Sequence, residues 1–183
     1  MSSTAPNLEA HRRAQEVFAG VLANVKSDQL GDPTPCPEWT VHDVLDHVVT
    51  GNGRVSGTIT PLPEDLDGVI AAHRTSAEAS QNTFAAPDGV TRTYDIRIGT
   101  VPGTMFLALR TVDVFTHAWD VATATGQDTD LDPELASELL TMSQNMMSPE
   151  LRGPGRPFSA EQPCPDDAPT ADRLAAFLGR PVS

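Results

Sequence analysis

Asp113 and His117 are the residues of this sequence best suited to chemistry, because they combine a carboxylate and an imidazole within one apolar stretch. Their spacing of four positions places both side chains on one face of an α-helix, and Asp120 lies on the same face one turn further on. The stretch from Leu107 to Trp119 is apolar on nearly every side, which predicts a buried helix. A buried carboxylate needs a positively charged partner, which can be a divalent cation or a protonated His117.

His47 supplies a third metal-binding group from another predicted helix. It lies between Val44 and Gly51 of an apolar stripe, so its imidazole can face the interior of a helical bundle. Two imidazoles and one carboxylate on facing helices form a three-ligand site with an open position, which is the pattern of catalytic zinc. His73 also falls on an apolar stripe and is the substitute ligand.

Simpler interpretations of the same residues stand beside the metal site. The carboxylate and imidazole of the buried helix can form an ordinary ion pair, and His47 can be a hydrogen-bonded core histidine. His11 and His42 are expected at the surface. Trp39 and Trp119 are expected to pack in the core, with a pocket wall as the alternative position.

The helices that position these residues are marked by capping residues, prolines and glycines. Thr40 and Asp43 mark the start of the second helix, which we expect to end near Gly51–Gly53 or shortly beyond. A period of two from Val90 to Ile98 predicts a short strand or hairpin between the third and fourth helices. The expected helices cover Asn7–Gln29, Thr40–Gly53, Glu64–Phe84, Thr104–Thr125, Pro133–Met147 and Thr170–Leu178.

This order of elements predicts an all-α protein of 183 residues built on a four-helix bundle. A small β-hairpin lies between helices 3 and 4, and a short helix ends the chain. We expect residues 1–147 to form the metal-binding bundle and residues 148–183 to form a C-terminal loop and short helix packed on the same domain. The apolar helix face left over on a bundle of this size is compatible with a homodimer.

Charge and hydropathy exclude several classes of partner. The 12 Lys and Arg against 25 Asp and Glu give a net charge of -13, which is the wrong sign for nucleic acid or an anionic membrane surface. No apolar run approaches the roughly 20 residues of a membrane helix, and the first residues lack the order of a signal peptide. We therefore expect a cytoplasmic protein, in which Cys36 and Cys164 are free thiols.

Three ordered motifs give the sequence a family resemblance that runs from about Leu30 to the C-terminus. The segments TPCPEWTV at 34–41 and LDHV at 45–48, followed by Gly51-Asn52, resemble the N-terminal signature of actinobacterial DinB-like proteins related to mycothiol-dependent maleylpyruvate isomerase. The segment HAWDVA at 117–122 looks like the second signature of that group. The segments PCPDDAP at 163–169 and FLGR at 177–180 resemble the ending of a small-protein branch of the family.

The resemblance implies a DinB/YfiT-like four-helix bundle that holds a divalent metal, usually zinc. Carried over residue by residue, the metal ligands are His47, Asp113 and His117. The isomerase has Glu where this chain has Asp113, so the ligand is shorter by one methylene. The metal would then lie closer to that helix or accept a bridging water. Nickel and iron are the alternative metals, because His and carboxylate ligands accept both.

The function that the resemblance implies is metal-dependent thiol chemistry, either S-transfer or isomerisation. The metal would activate the thiolate of a low-molecular-weight thiol such as mycothiol, which attacks a small-molecule electrophile. Asp120, Asn52 and Trp119 are expected around the ligands or in the pocket wall, and no catalytic residue is assigned. The alternatives are a non-catalytic metal-binding or sensing module and a structural paralogue in which Asp113 and His117 form only an ion pair.

Overall fold

The computed structural model of this chain describes residues 8–97, 99–147, 149–154 and 159–182. Within these ranges, six α-helices and one two-stranded antiparallel sheet follow one another, so the prediction of an all-α fold with one β-hairpin is confirmed. The elements are α1 Leu8–Leu22, α2 Val41–Ser56, α3 Leu66–Ala85, β1 Thr93–Ile96, β2 Gly99–Pro102, α4 Gly103–Ala124, α5 Pro133–Met146 and α6 Thr170–Phe177, with short 3-10 turns at Ser27–Gln29 and Pro149–Leu151.

Local capping explains where α2 begins and ends. Thr40 and Asp43 form a capping box, in which the Thr40 side chain accepts the Asp43 N–H and the Asp43 carboxylate accepts the Thr40 N–H. The helix ends at Ser56, shortly beyond Gly51–Gly53 as expected, and is capped by Gly57, whose φ of 80° is the left-handed conformation that glycine adopts without strain. His47 therefore lies in the middle of a long helix.

The first helix is shorter than the apolar spacing predicts. It ends at Leu22 instead of near Gln29, and the chain continues through a tightened turn. In that turn the Asn24 and Val25 N–H groups donate to carbonyls three residues earlier, which is 3-10 geometry. Val25 is still buried, at 5% exposure. The apolar pattern therefore continues beyond the helical backbone, which is why spacing alone misplaces the end.

The hairpin between α3 and α4 also differs from its predicted limits. Tyr94 on β1 pairs with Val101 on β2, so Val101 and Pro102 close the hairpin instead of only leading into α4. The predicted period of two includes Ile98, which lies outside the described residues. The hairpin packs against the start of α4 around a small cluster that includes Phe84 and Phe106.

α4 lies at the centre of the bundle, as its nearly continuous apolar sequence predicts. It packs against α1 and α2, and its residues Val114, Phe115 and Ala118 have no solvent exposure. α3 completes the four-helix bundle by packing against α1 and α2. Because α2 and α4 are direct neighbours, side chains from both helices meet inside the bundle.

The two remaining helices cover the bundle near the C-terminal half of the chain. α6 packs on α5 and α4, and Ala171 and Leu174 of α6 are buried in the same hydrophobic core as α1 to α4. The loop predicted at 148–169 falls partly outside the described residues. None of the helices in the described ranges is long and apolar enough to cross a membrane.

Candidate metal centre

His47, Asp113 and His117 form one cluster between α2 and α4. The Nε2 atom of His47 lies 3.1 Å from Oδ2 and 3.2 Å from Oδ1 of Asp113. The Nε2 atom of His117 lies 3.6 Å from Oδ1 of Asp113. One ligand atom from each residue lies within 4.8 Å of the others. The structure thus brings together the three residues that the sequence predicts as ligands.

The donor set and its spacing fit a single divalent cation. Zinc binds imidazole nitrogen and carboxylate oxygen at about 2.0–2.2 Å, so the ligand atoms of a tetrahedral site lie about 3.3 Å apart. Oδ1 of Asp113 lies 3.2 Å from Nε2 of His47 and 3.6 Å from Nε2 of His117, on either side of that value. Two imidazoles and one carboxylate also leave at least one coordination position open. Nickel and iron accept the same ligands.

The charge on Asp113 is stabilised from several sides. Burial alone would raise its pKa, but the charges of His117 and Arg110 and hydrogen bonds from both histidines hold the pKa well below its usual range. Arg110 donates from Nη1 to Oδ2 of Asp113 at 2.7 Å. The Asp113 side chain keeps 31% of its exposure, so its carboxylate is reachable from solvent. Asp113 is therefore ionised and accessible to a cation.

His117 is held by a second carboxylate. Its Nδ1 lies 2.9 Å from Oδ2 of Asp120, which has no solvent exposure. Arg180 donates to both oxygens of Asp120, at 3.1 Å and 3.0 Å. Burial opposes a proton on His117, but Asp113 and Asp120 together raise the pKa of the ring to about 9. Asp120 fixes the orientation of the ring, so that Nε2 points toward Asp113.

Trp39 is the aromatic residue at the cluster. Its ring stacks on His117 at 5.7 Å between centroids and 20° between planes, and it lies 5.0 Å from the His47 ring. The sequence predicts Trp119 near the ligands, but the structure places it elsewhere. It is buried at 3% exposure, and its indole N–H donates to Asp172 of α6 at 2.7 Å. Trp119 therefore joins two helices of the fold, and Trp39 is the pocket wall.

Asn52 contacts the cluster only through another side chain. It is fully buried and exchanges hydrogen bonds with Gln15 of α1, at 2.8 Å and 3.2 Å. His73, the substitute ligand, lies 3.1 Å from Gln15 and is not part of the metal cluster. Burial lowers the pKa of His73 to about 4, so it is neutral in the folded protein. Asn52 connects to the cluster because its Oδ1 accepts a hydrogen bond from Arg110 at 3.2 Å.

His11 is a core residue, so the expectation that it lies at the surface is wrong. Its side chain has no exposure, and its two nitrogens lie 3.3 Å from Thr111 Oγ1 and 3.2 Å from Ser80 Oγ. Burial, with a smaller contribution from the charge of Arg110, lowers its pKa to about 3. The position is polar in sequence, but hydroxyls from α3 and α4 satisfy both ring nitrogens inside the bundle.

The cluster lies between two cavities. On the His47 side, a cavity of about 400 Å³ is lined by Trp39 and by polar residues of α2, among them Asp43, Asp46 and Arg54. On the other side, Asp113 and His117 line a cavity of about 350 Å³. Its wall combines three arginines, one buried serine and apolar side chains: Arg97, Arg152, Arg180, Ser143, Leu109, Val112, Met146, Met147 and Leu178.

Two residues of the site, Arg110 and Arg180, are not identified by reasoning from the sequence, and Trp39 takes the pocket-wall position that the sequence predicts only as its alternative. Arg110 lies three positions before Asp113 on the same helix face, and this spacing is the one signal that could have found it. Arg180 is part of the FLGR segment, whose role the motif alone does not reveal. Trp39 lies in the proline-rich loop, where no periodicity indicates the direction of a side chain.

Comparison with known proteins relates this chain to one family. A profile of the family described as mycothiol maleylpyruvate isomerase N-terminal domain matches residues 11–122, the range that holds all three clustered residues. Two uncharacterized proteins from two strains of Mycobacterium tuberculosis are each 54% identical over 178 residues, which covers 96% of this chain and 98% of theirs.

Two solved structures share the fold. The crystal structure of the mycothiol-dependent maleylpyruvate isomerase matches with a TM-score of 0.59, and that of a mutant of the same enzyme matches with 0.55. The sequence identity is 17% in both comparisons, and the match covers 74% of this chain. It covers 65% of the isomerase chain, so this protein spans less than two thirds of that enzyme.

Proposed function

We propose that this chain, which belongs to the mycothiol maleylpyruvate isomerase N-terminal domain family, is a metal-dependent thiol enzyme. His47, Asp113 and His117 hold a divalent cation, with zinc as the first expectation. The observation that carries the proposal is the meeting of these three donors within 4.8 Å, at the boundary of two cavities. Three protein ligands leave room for a thiol at the metal.

In this proposal the metal activates the thiol, and the protein side chains hold the metal ligands in place. When bound, the metal lowers the pKa of a coordinated thiol and so supplies a nucleophilic sulfur at neutral pH. The protein holds the site rigid: Asp120 fixes the His117 ring, and Trp39 packs on both imidazoles. In S-transfer, the new sulfur–carbon bond persists, and the thiol proton leaves with the displaced group or goes to the electrophile. In isomerisation, sulfur adds to a double bond, rotation follows, and elimination restores the thiol.

The residues that line the two cavities support the assignment of a different substrate to each cavity. Arg97 and Arg152 line the cavity shared by Asp113 and His117, in a chain whose net charge is -13. Two guanidinium groups beside apolar side chains suit an electrophile that carries a carboxylate on a hydrocarbon body. The cavity beside His47 has acidic and hydroxyl side chains, which suit a hydroxyl-rich thiol such as mycothiol. We assign the electrophile to the first cavity and the thiol to the second.

One observation favours a structural role as the second candidate. The Asp113 carboxylate already has Arg110 at 2.7 Å and His47 at 3.1 Å, so it has charged or polar partners without a metal. A protein that uses the cluster only as an ion-pair network would neither bind metal nor react with thiols. The two candidates therefore differ in whether the protein binds metal, which can be measured directly.

Cobalt substitution tests the proposal before the electrophile is identified. Cobalt-loaded protein is titrated with mycothiol, and with glutathione as a second thiol, while the absorption spectrum is recorded. We expect a sulfur-to-cobalt charge-transfer band that saturates with thiol and is lost in His117→Ala. The matched control is His42→Ala, which removes a histidine of α2 that is not part of the cluster. A cobalt-loaded native protein with no such band for either thiol would contradict the proposed thiol chemistry.

A turnover assay then tests the predicted charge of the electrophile. Zinc-loaded protein and mycothiol are mixed with maleate or with its neutral dimethyl ester, and both the loss of free thiol, which reports S-transfer, and the formation of the trans isomer, which reports isomerisation, are followed. The proposal predicts a metal-dependent rate that falls in Arg152→Gln for the charged substrate alone. Equal effects of the substitution on the charged and the neutral substrate would contradict the assignment of the arginine-lined cavity.

A further inference from the structure

Arg110 is a cation buried inside the bundle beside the candidate metal centre. It has 6% exposure and lies on α4, three positions before Asp113. Its Nη1 donates to Asp113 Oδ2 at 2.7 Å, and its Nη2 donates to Asn52 Oδ1 at 3.2 Å and to the Val48 carbonyl at 3.3 Å. The guanidinium thus connects the backbone and a side chain of α2 to the carboxylate of α4.

The facing helix α2 leaves space for this guanidinium at Gly51. A Cβ atom at Gly51 would lie 2.3 Å from Nη1 of Arg110 and 2.5 Å from its Cζ, closer than any ordinary contact. Gly51 is inside α2, where glycine is less favourable than alanine because of its backbone entropy. Any larger residue at Gly51 would force the Arg110 side chain away from its partners.

We propose that Arg110 is a positioning residue for the metal site, which holds Asp113 as a one-oxygen ligand and balances its charge before metal binds. This inference rests on the proposed function. The carboxylate oxygen Oδ2 accepts the Arg110 hydrogen bond and lies 3.1 Å from Nε2 of His47. Oδ1 lies 3.2 Å from Nε2 of His47 and 3.6 Å from Nε2 of His117, so it is close to both imidazoles and is not the oxygen bound by Arg110. Oδ1 is therefore the oxygen left to bind a cation between the two imidazoles.

The same contact explains how the site can exist without its metal. The Asp113 carboxylate is partly buried, and a charged partner stabilises it when no metal is bound. Arg110 supplies such a partner at 2.7 Å, so the site is formed in advance and metal binding needs no rearrangement of Asp113. The positive charge of Arg110 therefore stabilises the folded protein when no metal is bound.

The test compares metal-free and zinc-loaded stability in three variants. Arg110→Met keeps the length of the side chain but removes its charge and donors, and Arg110→Lys restores the charge. Gly51→Ala keeps the arginine in the sequence but displaces its guanidinium from its partners. Gly20→Ala is the control, because a Cβ at this position in α1 meets nothing within 4 Å.

We expect metal-free Arg110→Met to melt about 4 to 8 °C below the native protein, because the hydrogen bond to a charged carboxylate is lost, with Arg110→Lys in between. Zinc should raise the melting temperature of Arg110→Met by less than it raises that of the native protein, because a ligand that is no longer positioned binds zinc more weakly. Gly51→Ala should show the same smaller gain, and Gly20→Ala should gain as much from zinc as the native protein does, from a melting temperature equal to or slightly above the native one. The cobalt absorption spectrum should differ from native in Arg110→Met and Gly51→Ala alone, a signature that general loss of stability would not produce.

Two outcomes would overturn the inference, and they can be told apart. If native protein and variants bind cobalt with the same spectrum and gain equally from zinc, Arg110 does not position the ligand although the metal site exists. If the native protein binds neither cobalt nor zinc, the proposed function fails, and the positioning role fails with it.

Discussion

Protons and metal should compete for His117 in a way that can be measured. In the metal-free protein, burial opposes its charge, but Asp113 and Asp120 raise the pKa of the ring to about 9. A metal binds only the neutral imidazole, so at pH 7 roughly 1% of the protein carries the ligand in its binding form. The apparent association constant for zinc should therefore rise about tenfold from pH 7 to pH 8, which is about 1.4 kcal/mol.

The assay is competition for zinc with a coloured chelator, whose own pH dependence is measured in the same buffers. Calorimetry in two buffers of different ionisation enthalpy gives the number of protons released, which should be close to one per zinc between pH 7 and pH 8. An association constant that changes less than twofold over this range, without proton release, would refute the reasoning. It would mean either that His117 is not protonated in the metal-free protein or that its Nε2 atom does not bind the metal.

Two further predictions follow from the buried polar groups. Metal-free protein should lose stability as the pH falls below 6.5, because His11 and His73, with pKa values of about 3 and about 4 in the folded state, take up protons only on unfolding. Each should cost about 2 kcal/mol between pH 7 and pH 5 in urea unfolding, and a profile that is flat over this range would contradict their neutral burial. At a pH above 9, where protons no longer compete for His117, Asp120→Asn should weaken zinc binding about 10- to 100-fold, because His117 loses the carboxylate that orients it. Chelator competition that finds affinities within twofold of native would show that Asp120 does not support the site.

The fold and the three clustered residues could be predicted because they follow from local rules. A carboxylate and an imidazole four residues apart share a helix face wherever the helix packs, so Asp113 and His117 meet in any fold that forms α4. The capping box at Thr40 and Asp43 likewise sets the start of α2 without help from the rest of the chain. Metal binding by the cluster itself is a prediction that the experiments above test.

The buried polar partners could not be predicted, because packing between distant elements decides them. His11 is followed by Arg12 and Arg13 and resembles a surface residue in the sequence, yet hydroxyls of α3 and α4 bury it. The burial of Arg110 depends on the absence of a side chain at Gly51 in another helix. Such contacts join residues far apart in sequence, and neither periodicity nor capping describes them.

The metal content of the protein tests the central claim most directly. Native protein, purified without an affinity tag, is incubated with zinc, freed of loosely bound metal and measured by elemental analysis beside His47→Ala, His117→Ala and the control His42→Ala. We predict close to one equivalent of zinc in the native protein and in His42→Ala, and almost none in the other two, with helicity retained in all four. Native protein without zinc, or equal zinc in all four proteins, would contradict a metal centre at this cluster.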